Sequence, residues 1–206
     1  MQMKFCPECG RPLAGRRVER HVRPVCSQEA GGCGFIDYGR FSLGVGGLVI
    51  DIDRKTGERR VLLIQRNQEP NRGGWTLPGG FVDFDESVDA AVVREVAEET
   101  GLQCRVIGLV GFRNRADPDV NTSYAVFLLE AVGGELASKP NEEIAQCGFY
   151  TLSQIQEMPR LAPLSRTAAV AALTAELHVL RPITVPGLGD RPPFTFFVGS
   201  DQTTQS

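Results

Sequence analysis

Three glutamates close together on one predicted helix are the residues of this chain best placed to do chemistry. Glu95, Glu98 and Glu99 are spaced i, i+3 and i+4, so their carboxylates share one patch about one turn long. Like charges at this spacing destabilise a helix by roughly a few tenths of a kcal/mol per pair. A hard divalent cation would relieve the repulsion, and Mg²⁺ or Mn²⁺ suits oxygen ligands. The simpler interpretation is a solvated acidic helix face.

The neighbouring elements favour the metal. A helix is predicted over residues 87–100, ended by Gly101, with an apolar face that consists of Ala90, Ala91, Val92, Val93, Val96 and Ala97. Before it, residues 75–80 (WTLPGG) join an apolar strand to a glycine turn, where backbone carbonyls can approach a ligand. Glu86 can fold back toward the acidic patch, and Arg94 is the only nearby cation to offset it.

Together these residues resemble the complete motif of the Nudix hydrolases. Glu86 follows Gly80 after five residues, Arg94 follows after seven more, and the run REVAEETGL completes every fixed position. The resemblance implies a Mg²⁺-dependent hydrolase of pyrophosphate linkages in nucleoside diphosphates joined to another group. Asp83 and Asp85 stand where the family often has Glu and Gly, but neither belongs to the fixed positions.

The resemblance also implies roles for the motif residues. It assigns the metal to the Gly79 carbonyl and to the carboxylates of Glu95, Glu98 and Glu99. Glu95 and Glu99 would be direct ligands, and Glu98 would bind a further metal or a water. Arg94 would orient the carboxylates through Glu86.

Hydrolysis needs a base, because water that attacks phosphorus must lose a proton. Glu143, with Glu142 beside it, precedes the short predicted strand 148–150. Several members of the family carry their catalytic base in this loop, so Glu143 is the candidate. Solvated loop acids are common, and that is the alternative interpretation.

Four residues are candidates for the substrate cleft because of their positions in the family. Arg66 follows the predicted strand 61–64, and Trp75 ends the next loop. Arg113 and Arg115 end the predicted strand 104–115. The aromatic ring would stack on a base and the arginines would bind phosphate, although basic residues at strand ends are more often merely exposed.

One proline bears on the substrate. Pro118 lies sixteen residues beyond Leu102, where a proline resembles the marker of ADP-ribose pyrophosphatases. The array SQPWPFPxS of NADH pyrophosphatases is absent. We therefore expect hydrolysis of ADP-ribose first and of FAD or NADH next, with release of AMP. The alternatives are a dNTP-sanitising pyrophosphohydrolase and a non-catalytic nucleotide sensor or RNA-binding regulator, although binding alone does not require three glutamates.

A second metal site is predicted near the start of the chain. Cys6 and Cys9 form a knuckle with two residues between them, and Cys26 and Cys33 form a second pair with a longer spacer. Four thiolates make a closed, structural Zn²⁺ site. His21 is the alternative third ligand, and free thiols or two disulfides are the alternative states. The arrangement resembles the zinc ribbon that precedes some Nudix domains.

Composition and the resemblance together set the predicted organisation. The 206 residues carry a formal charge of −3, which disfavours a general nucleic-acid binder or a membrane-surface protein. We see no signal peptide and no apolar run of about 18 residues, so we expect a cytoplasmic protein. The expected parts are a zinc ribbon (1–38), a Nudix α/β/α sandwich with a mixed sheet (42–180) and a Pro/Gly-rich tail (181–206). A homodimer is expected by analogy only.

Overall fold

The computed structural model describes residues 3–116, 120–174, 177–186 and 194–199. The chain divides into two compact units, one of residues 1–42 with 114–123 and the other of residues 43–113 with 124–206. No helix among the described residues has both the length and the apolarity to cross a bilayer.

The first unit contains a small antiparallel hairpin. Strand β1 (Ala14–Val18) pairs with β2 (His21–Val25), and Ala14 lies opposite Val25. A short 3₁₀ turn (Gln28–Ala30) occupies the spacer that follows Cys26. The longer spacing that the sequence shows between the last two cysteines is therefore taken up by a compact turn.

The larger sheet of the described residues has eight strands, whose bounds are β3 (Phe41–Ile52), β4 (Arg59–Arg66), β5 (Trp75–Thr76), β6 (Leu102–Ala116), β7 (Asn121–Gly134), β8 (Ile144–Thr151), β9 (Leu180–Val185) and β10 (Phe194–Gly199). The strand order is β10-β9-β6-β7-β3-β4-β5, and β8 also pairs with β4. The helices are α1 (Val88–Thr100), α2 (Leu152–Glu157) and α3 (Pro163–Thr174).

Helices cover both faces of this sheet. On β4, Leu62 belongs to the core cluster that contains Val96 of α1. Its neighbour Leu63 belongs to the other cluster, with Ala169 of α3. Successive strand residues point to opposite faces, so the two helices lie on opposite sides of the sheet. The predicted α/β fold with a mixed sheet is confirmed.

The sequence predicts an amphipathic helix over residues 165–180, N-capped by Ser165 and ended by Arg181 and Pro182, and the structure differs from this prediction at the start of α3. The helix begins at Pro163, because proline suits the first turn, where its missing N–H costs no hydrogen bond. Ser165 is buried inside the helix, and its Oγ accepts a hydrogen bond from the Leu77 N–H at 3.1 Å. The serine therefore ties α3 to the segment that leads into the glycine turn.

The end of α3 also differs. The prediction continued the helix to Leu180, whereas Leu180 begins β9 and lies opposite Leu109 of β6. β10 pairs antiparallel with β9, and its Phe197 ring packs edge-on against Phe127 with 5.3 Å between centroids. The run Leu180–Val185 contains β-branched residues, which favour a strand.

Candidate active site

Helix α1 holds the acidic patch in a fixed rotation. Its Val92 and Val96 are fully buried, and Glu99, two turns after Val92 on the same side of the helix, is buried with them. Glu95 is partly buried and Glu98 is exposed, so the acidic patch runs from the edge of the core to the surface. The helix ends at Gly101, whose φ of 78° is left-handed and whose N–H donates to the Ala97 carbonyl at 2.9 Å. Both the apolar periodicity of α1 and the glycine that ends it were readable in the sequence.

The glycine turn lies against this helix and against β3. Gly79 has a φ of 149°, and a Cβ there would lie 2.1 Å from the Val45 carbonyl oxygen. A Cβ at Gly80 would lie 2.5 Å from Glu95 Oε1. A side chain does not fit at Gly79, because its Cβ would meet the backbone of β3, whereas a side chain at Gly80 would require the Glu95 carboxylate to move.

Arg94 is the centre of an ion-pair network. Its Nε and Nη2 donate to the two oxygens of Glu86 at 3.1 and 2.6 Å, a bidentate pair. Its Nη1 donates to Glu95 at 2.9 Å and to Glu98 at 3.1 Å. The hydrogen bonds from Arg94 lower the pKa of Glu86 below its usual range. One guanidinium thus fixes three carboxylates.

Glu99 is the deepest charge of the site. Only 6% of it is exposed, and its Oε2 accepts the Gly79 N–H at 2.7 Å. Burial raises the pKa of Glu99 to about 8, the Gly79 N–H opposes the rise, and the charges of Glu95 and Glu143 add to it. Arg66 lowers this pKa by a smaller amount. Without a cation the site therefore favours the protonated form of Glu99 near neutral pH, and a bound cation would favour the carboxylate.

A divalent cation fits this donor set in charge and in chemistry. Burial also raises the pKa of Glu95, which with Glu99 supplies hard oxygen donors in a poorly solvated place. Within the described ranges, the carboxylates of α1 do not gather around one point as the cysteines do. Arg94 and the Gly79 N–H hold them instead. The residues suit Mg²⁺ or Mn²⁺. Without a cation, the Arg94 guanidinium is the positive charge that pairs with these carboxylates.

The loop before β8 brings Glu143 to the same place. β4 and β8 are antiparallel, and their last pair joins Arg66 to Ile144, the residue after Glu143. The charge of Glu143 contributes to the raised pKa values of Glu95 and Glu99, so Glu143 lies near enough to both for its charge to act on them. Glu142 is exposed beside it.

Tyr124 of β7 is a site residue that the sequence analysis missed. Burial raises the pKa of its phenol, and the charges of Glu99 and Glu95 raise it further. Its ring centroid lies 5.9 Å from the Arg113 guanidinium, and a Cβ at Gly46 would lie 2.6 Å from its hydroxyl. The glycines of β3 leave room for this ring. Tyr124 comes close to these glycines because β7 and β3 are neighbours in the sheet, and this pairing could not be read from the sequence.

The remaining substrate candidates are placed differently. Trp75 is 8% exposed and packs against Tyr150, with 5.1 Å between ring centroids. Little of its indole is open to a ligand, so the structure does not support its predicted stacking on a base. Arg115 lies in the first unit. Pro118 lies outside the described residues.

The four N-terminal cysteines form a compact cluster. The Sγ atoms of Cys6 and Cys33 are 3.5 Å apart, as are those of Cys9 and Cys26, and all four lie within 4.8 Å of one another. Tetrahedral Zn²⁺ with bonds of about 2.3 Å puts its sulfurs about 3.8 Å apart. The cluster includes Cys26 and does not include His21. The geometry therefore suits zinc.

One thiol of this cluster, that of Cys9, has a lowered pKa, whereas the pKa values of Cys26 and Cys33 are raised, because the backbone N–H groups that lower them are outweighed by burial and by hydrogen bonds to neighbouring thiols. The backbone N–H of Arg11 and then the thiol of Cys26 lower the pKa of Cys9 to about 7. A Cβ at Gly32 would lie 2.5 Å from the Cys26 sulfur, so this glycine admits the thiol. A thiolate is the form that binds zinc.

Comparisons with known proteins agree with this geometry. The family model of the NUDIX domain matches residues 41–170. An ADP-ribose pyrophosphatase of Methanocaldococcus jannaschii is 39% identical over 107 residues, which are 51% of this chain and 60% of that protein. An NAD-capped RNA hydrolase NudC of Vibrio vulnificus is 30% identical over 179 residues, 86% of this chain and 60% of that protein.

The crystal structure of a NUDIX hydrolase from Nitrosomonas europaea has the same fold. Its TM-score is 0.65 at 24% identity, and the match covers 83% of this chain and 90% of that one. The chain spans 60% of the length of each of the two curated relatives described above.

Proposed function

The chain belongs to the NUDIX domain family, and on that premise we propose that it is a Mg²⁺- or Mn²⁺-dependent pyrophosphohydrolase. Its substrates would be nucleoside diphosphates joined to another group, ADP-ribose first and FAD or NADH next, with AMP as one product. The observation that carries the proposal is the buried Glu99 carboxyl group, which is held by the Gly79 N–H and lies within electrostatic range of Glu95 and Glu143. Such a cluster of negative charge is suited to a cation that carries a pyrophosphate.

The residues divide the reaction between them. Glu95, Glu98, Glu99 and the Gly79 carbonyl would hold the cation, which neutralises the pyrophosphate oxygens. Glu143 would take the proton of the attacking water as its oxygen bonds to phosphorus and the bridging P–O bond breaks. Arg94, bound to Glu86 on one side and to Glu95 on the other, keeps the carboxylates oriented.

The preference for ADP-ribose rests on two supports. The relative from M. jannaschii is named an ADP-ribose pyrophosphatase, and Pro118 occupies the position that resembles the marker of that class. Arg66 and Arg113 are the proposed phosphate ligands. The charge of each acts on a residue of the site, Arg66 on Glu99 and Arg113 on Tyr124.

A dinucleotide that contains nicotinamide is the second candidate substrate. The similarity to the V. vulnificus NAD-capped RNA hydrolase spans 179 residues, more than the family match at residues 41–170. The similarity therefore extends outside the NUDIX domain. The missing SQPWPFPxS array counts against this activity.

We further propose that Cys6, Cys9, Cys26 and Cys33 hold a structural zinc ion. Four sulfurs leave no coordination position for water, so the ion would stabilise the first unit and take no part in hydrolysis. The short Sγ distances and the low pKa of Cys9 support this assignment.

A substrate panel tests the proposed function. Phosphate release after phosphatase coupling is measured with ADP-ribose, FAD, NADH, diadenosine polyphosphates and dNTPs, with Mg²⁺ or Mn²⁺. Preference for ADP-ribose supports the leading proposal, and preference for NADH supports the second. Preference for a dNTP indicates a sanitising enzyme. Nucleotide binding without turnover across the panel would indicate a sensor.

A further inference from the structure

Glu143 stands on a loop whose shape is set by a neighbouring asparagine. Asn141 Oδ1 accepts two backbone hydrogen bonds, from Glu143 N–H at 2.9 Å and from Ile144 N–H at 2.6 Å. The Asn141 N–H donates to the Ile144 carbonyl at 2.9 Å. One side-chain oxygen thus closes the turn that carries the candidate base.

A second asparagine fastens this turn to β4. The backbone N–H of Asn67 donates to the Glu143 carbonyl at 2.7 Å, and its Nδ2 donates to the Asn141 carbonyl at 2.9 Å. Asn67 follows Arg66, the last residue of β4. Both backbone groups of Glu143 are therefore used, one by each asparagine.

The sheet alone does not fix this position. The register between β4 and β8 shifts between Gln65 and Arg66, so the regular ladder breaks just before Glu143. Asn67, Asn141 and Glu143 are all partly or fully exposed, so packing does not hold them either. Beyond the break, the two asparagines take over the role of the ladder.

We propose that Asn141 and Asn67 are positioning residues that aim Glu143 at Glu95 and Glu99. The inference rests on the proposed function and deepens it, because it assigns residues outside the acidic motif to the placement of the base. A carboxylate on an exposed loop otherwise samples many positions. With its backbone fixed on both sides, only its side-chain torsions remain free, and catalysis depends on such placement.

The two asparagines have opposite chemical requirements. Asn141 acts through an acceptor oxygen, which an aspartate retains. The side chain of Asn67 acts through a donor, which an aspartate lacks. Asn141→Asp should therefore preserve function while Asn67→Asp should not. A general effect of altered charge or solubility does not produce this asymmetry.

The test is a double-mutant cycle between Asn141→Ala and Glu143→Gln, measured as kcat and KM on the best substrate of the panel. We expect Glu143→Gln to lower kcat about a hundredfold, within the usual range for a general base. Asn141→Ala should lower kcat about tenfold with KM nearly unchanged, and should have no further effect in the Glu143→Gln background. Asn141→Asp should recover kcat to within about threefold, and Asn67→Asp should not.

Lys139→Ala, in the same loop, is the matched control and should leave kcat unchanged. A thermal unfolding midpoint above the assay temperature shows that each variant is folded. Equal losses from Asn141→Ala in both backgrounds would overturn the inference, as would full activity of Glu143→Gln or unfolding of Asn141→Asp. Those results leave the proposed hydrolase activity standing, because the wild-type enzyme is active, but full activity of Glu143→Gln would show that Glu143 is not its base. A wild-type chain that turns over nothing in the panel would instead overturn the proposed function, and the inference with it.

Discussion

The Glu99 carboxylate accepts a hydrogen bond from the Gly79 N–H at 2.7 Å, which joins the end of α1 to the turn after β5. This contact links the two parts of the sequence motif across twenty positions. It also brings Gly79 and a buried acid to one place, where the Gly79 carbonyl and the Glu99 carboxylate are proposed to contact the same cation. The stability and the chemistry of the site therefore depend on the same pair of residues.

The stability of the protein should depend on pH through Glu99. Its pKa in the folded state, about 8, is raised above the ordinary value of 4.5, so the folded state holds the proton more tightly than the unfolded state does. Without Mg²⁺ or Mn²⁺, thermal stability should fall as pH rises from about 5 to 8. In Glu99→Gln this fall should be smaller. An equally steep fall in the variant would contradict the assignment.

The glycine at position 79 should be indispensable for stability. Gly79→Ala places a Cβ 2.1 Å from the Val45 oxygen and should lower the free energy of unfolding by more than about 3 kcal/mol. Gly57→Ala is the matched control, because Gly57 also has a left-handed φ, 73°, but has open space around it. Chemical denaturation measures both. Equal losses would show that the close approach at Gly79 does not matter.

Loss of one cysteine ligand should release the zinc. Cys9→Ser removes one of four clustered sulfurs and should lower the zinc content well below one ion per chain, with reduced stability of the first unit. Cys104→Ser, a buried cysteine outside the cluster, is the control and should keep its zinc. Element analysis after dialysis measures both. A full zinc equivalent in Cys9→Ser would contradict the four-cysteine site.

Local signals in the sequence were sufficient for the centre of the site. Helix α1 lies between Ser87 and Gly101, as predicted. The residues that start and stop a helix and its apolar periodicity are all local to that helix, so they can be read from the sequence. The short helix α2 had a readable signal too, since Thr151 and Gln154 form a capping box. Six residues are too few for apolar periodicity to show, and the helix was missed.

Long-range pairing could not be predicted in the same way. Tyr124 approaches the carboxylates because β7 pairs with β3, and Trp75 is buried in a core cluster against which Tyr150 also packs. Leu180 leaves the helical pattern because β6 offers it a partner at Leu109. Each outcome depends on residues far apart in the chain, and local propensity contains no record of them.

The central claim is that a divalent cation held by Glu99 drives hydrolysis. Turnover of ADP-ribose is measured against Mg²⁺ concentration for the wild type, for Glu99→Gln and for Glu157→Gln, which alters an exposed acid of α2. We predict Mg²⁺-dependent turnover in the wild type and the control, and a loss of at least about a thousandfold in a folded Glu99→Gln. Near-normal turnover by Glu99→Gln at saturating Mg²⁺ would contradict the claim.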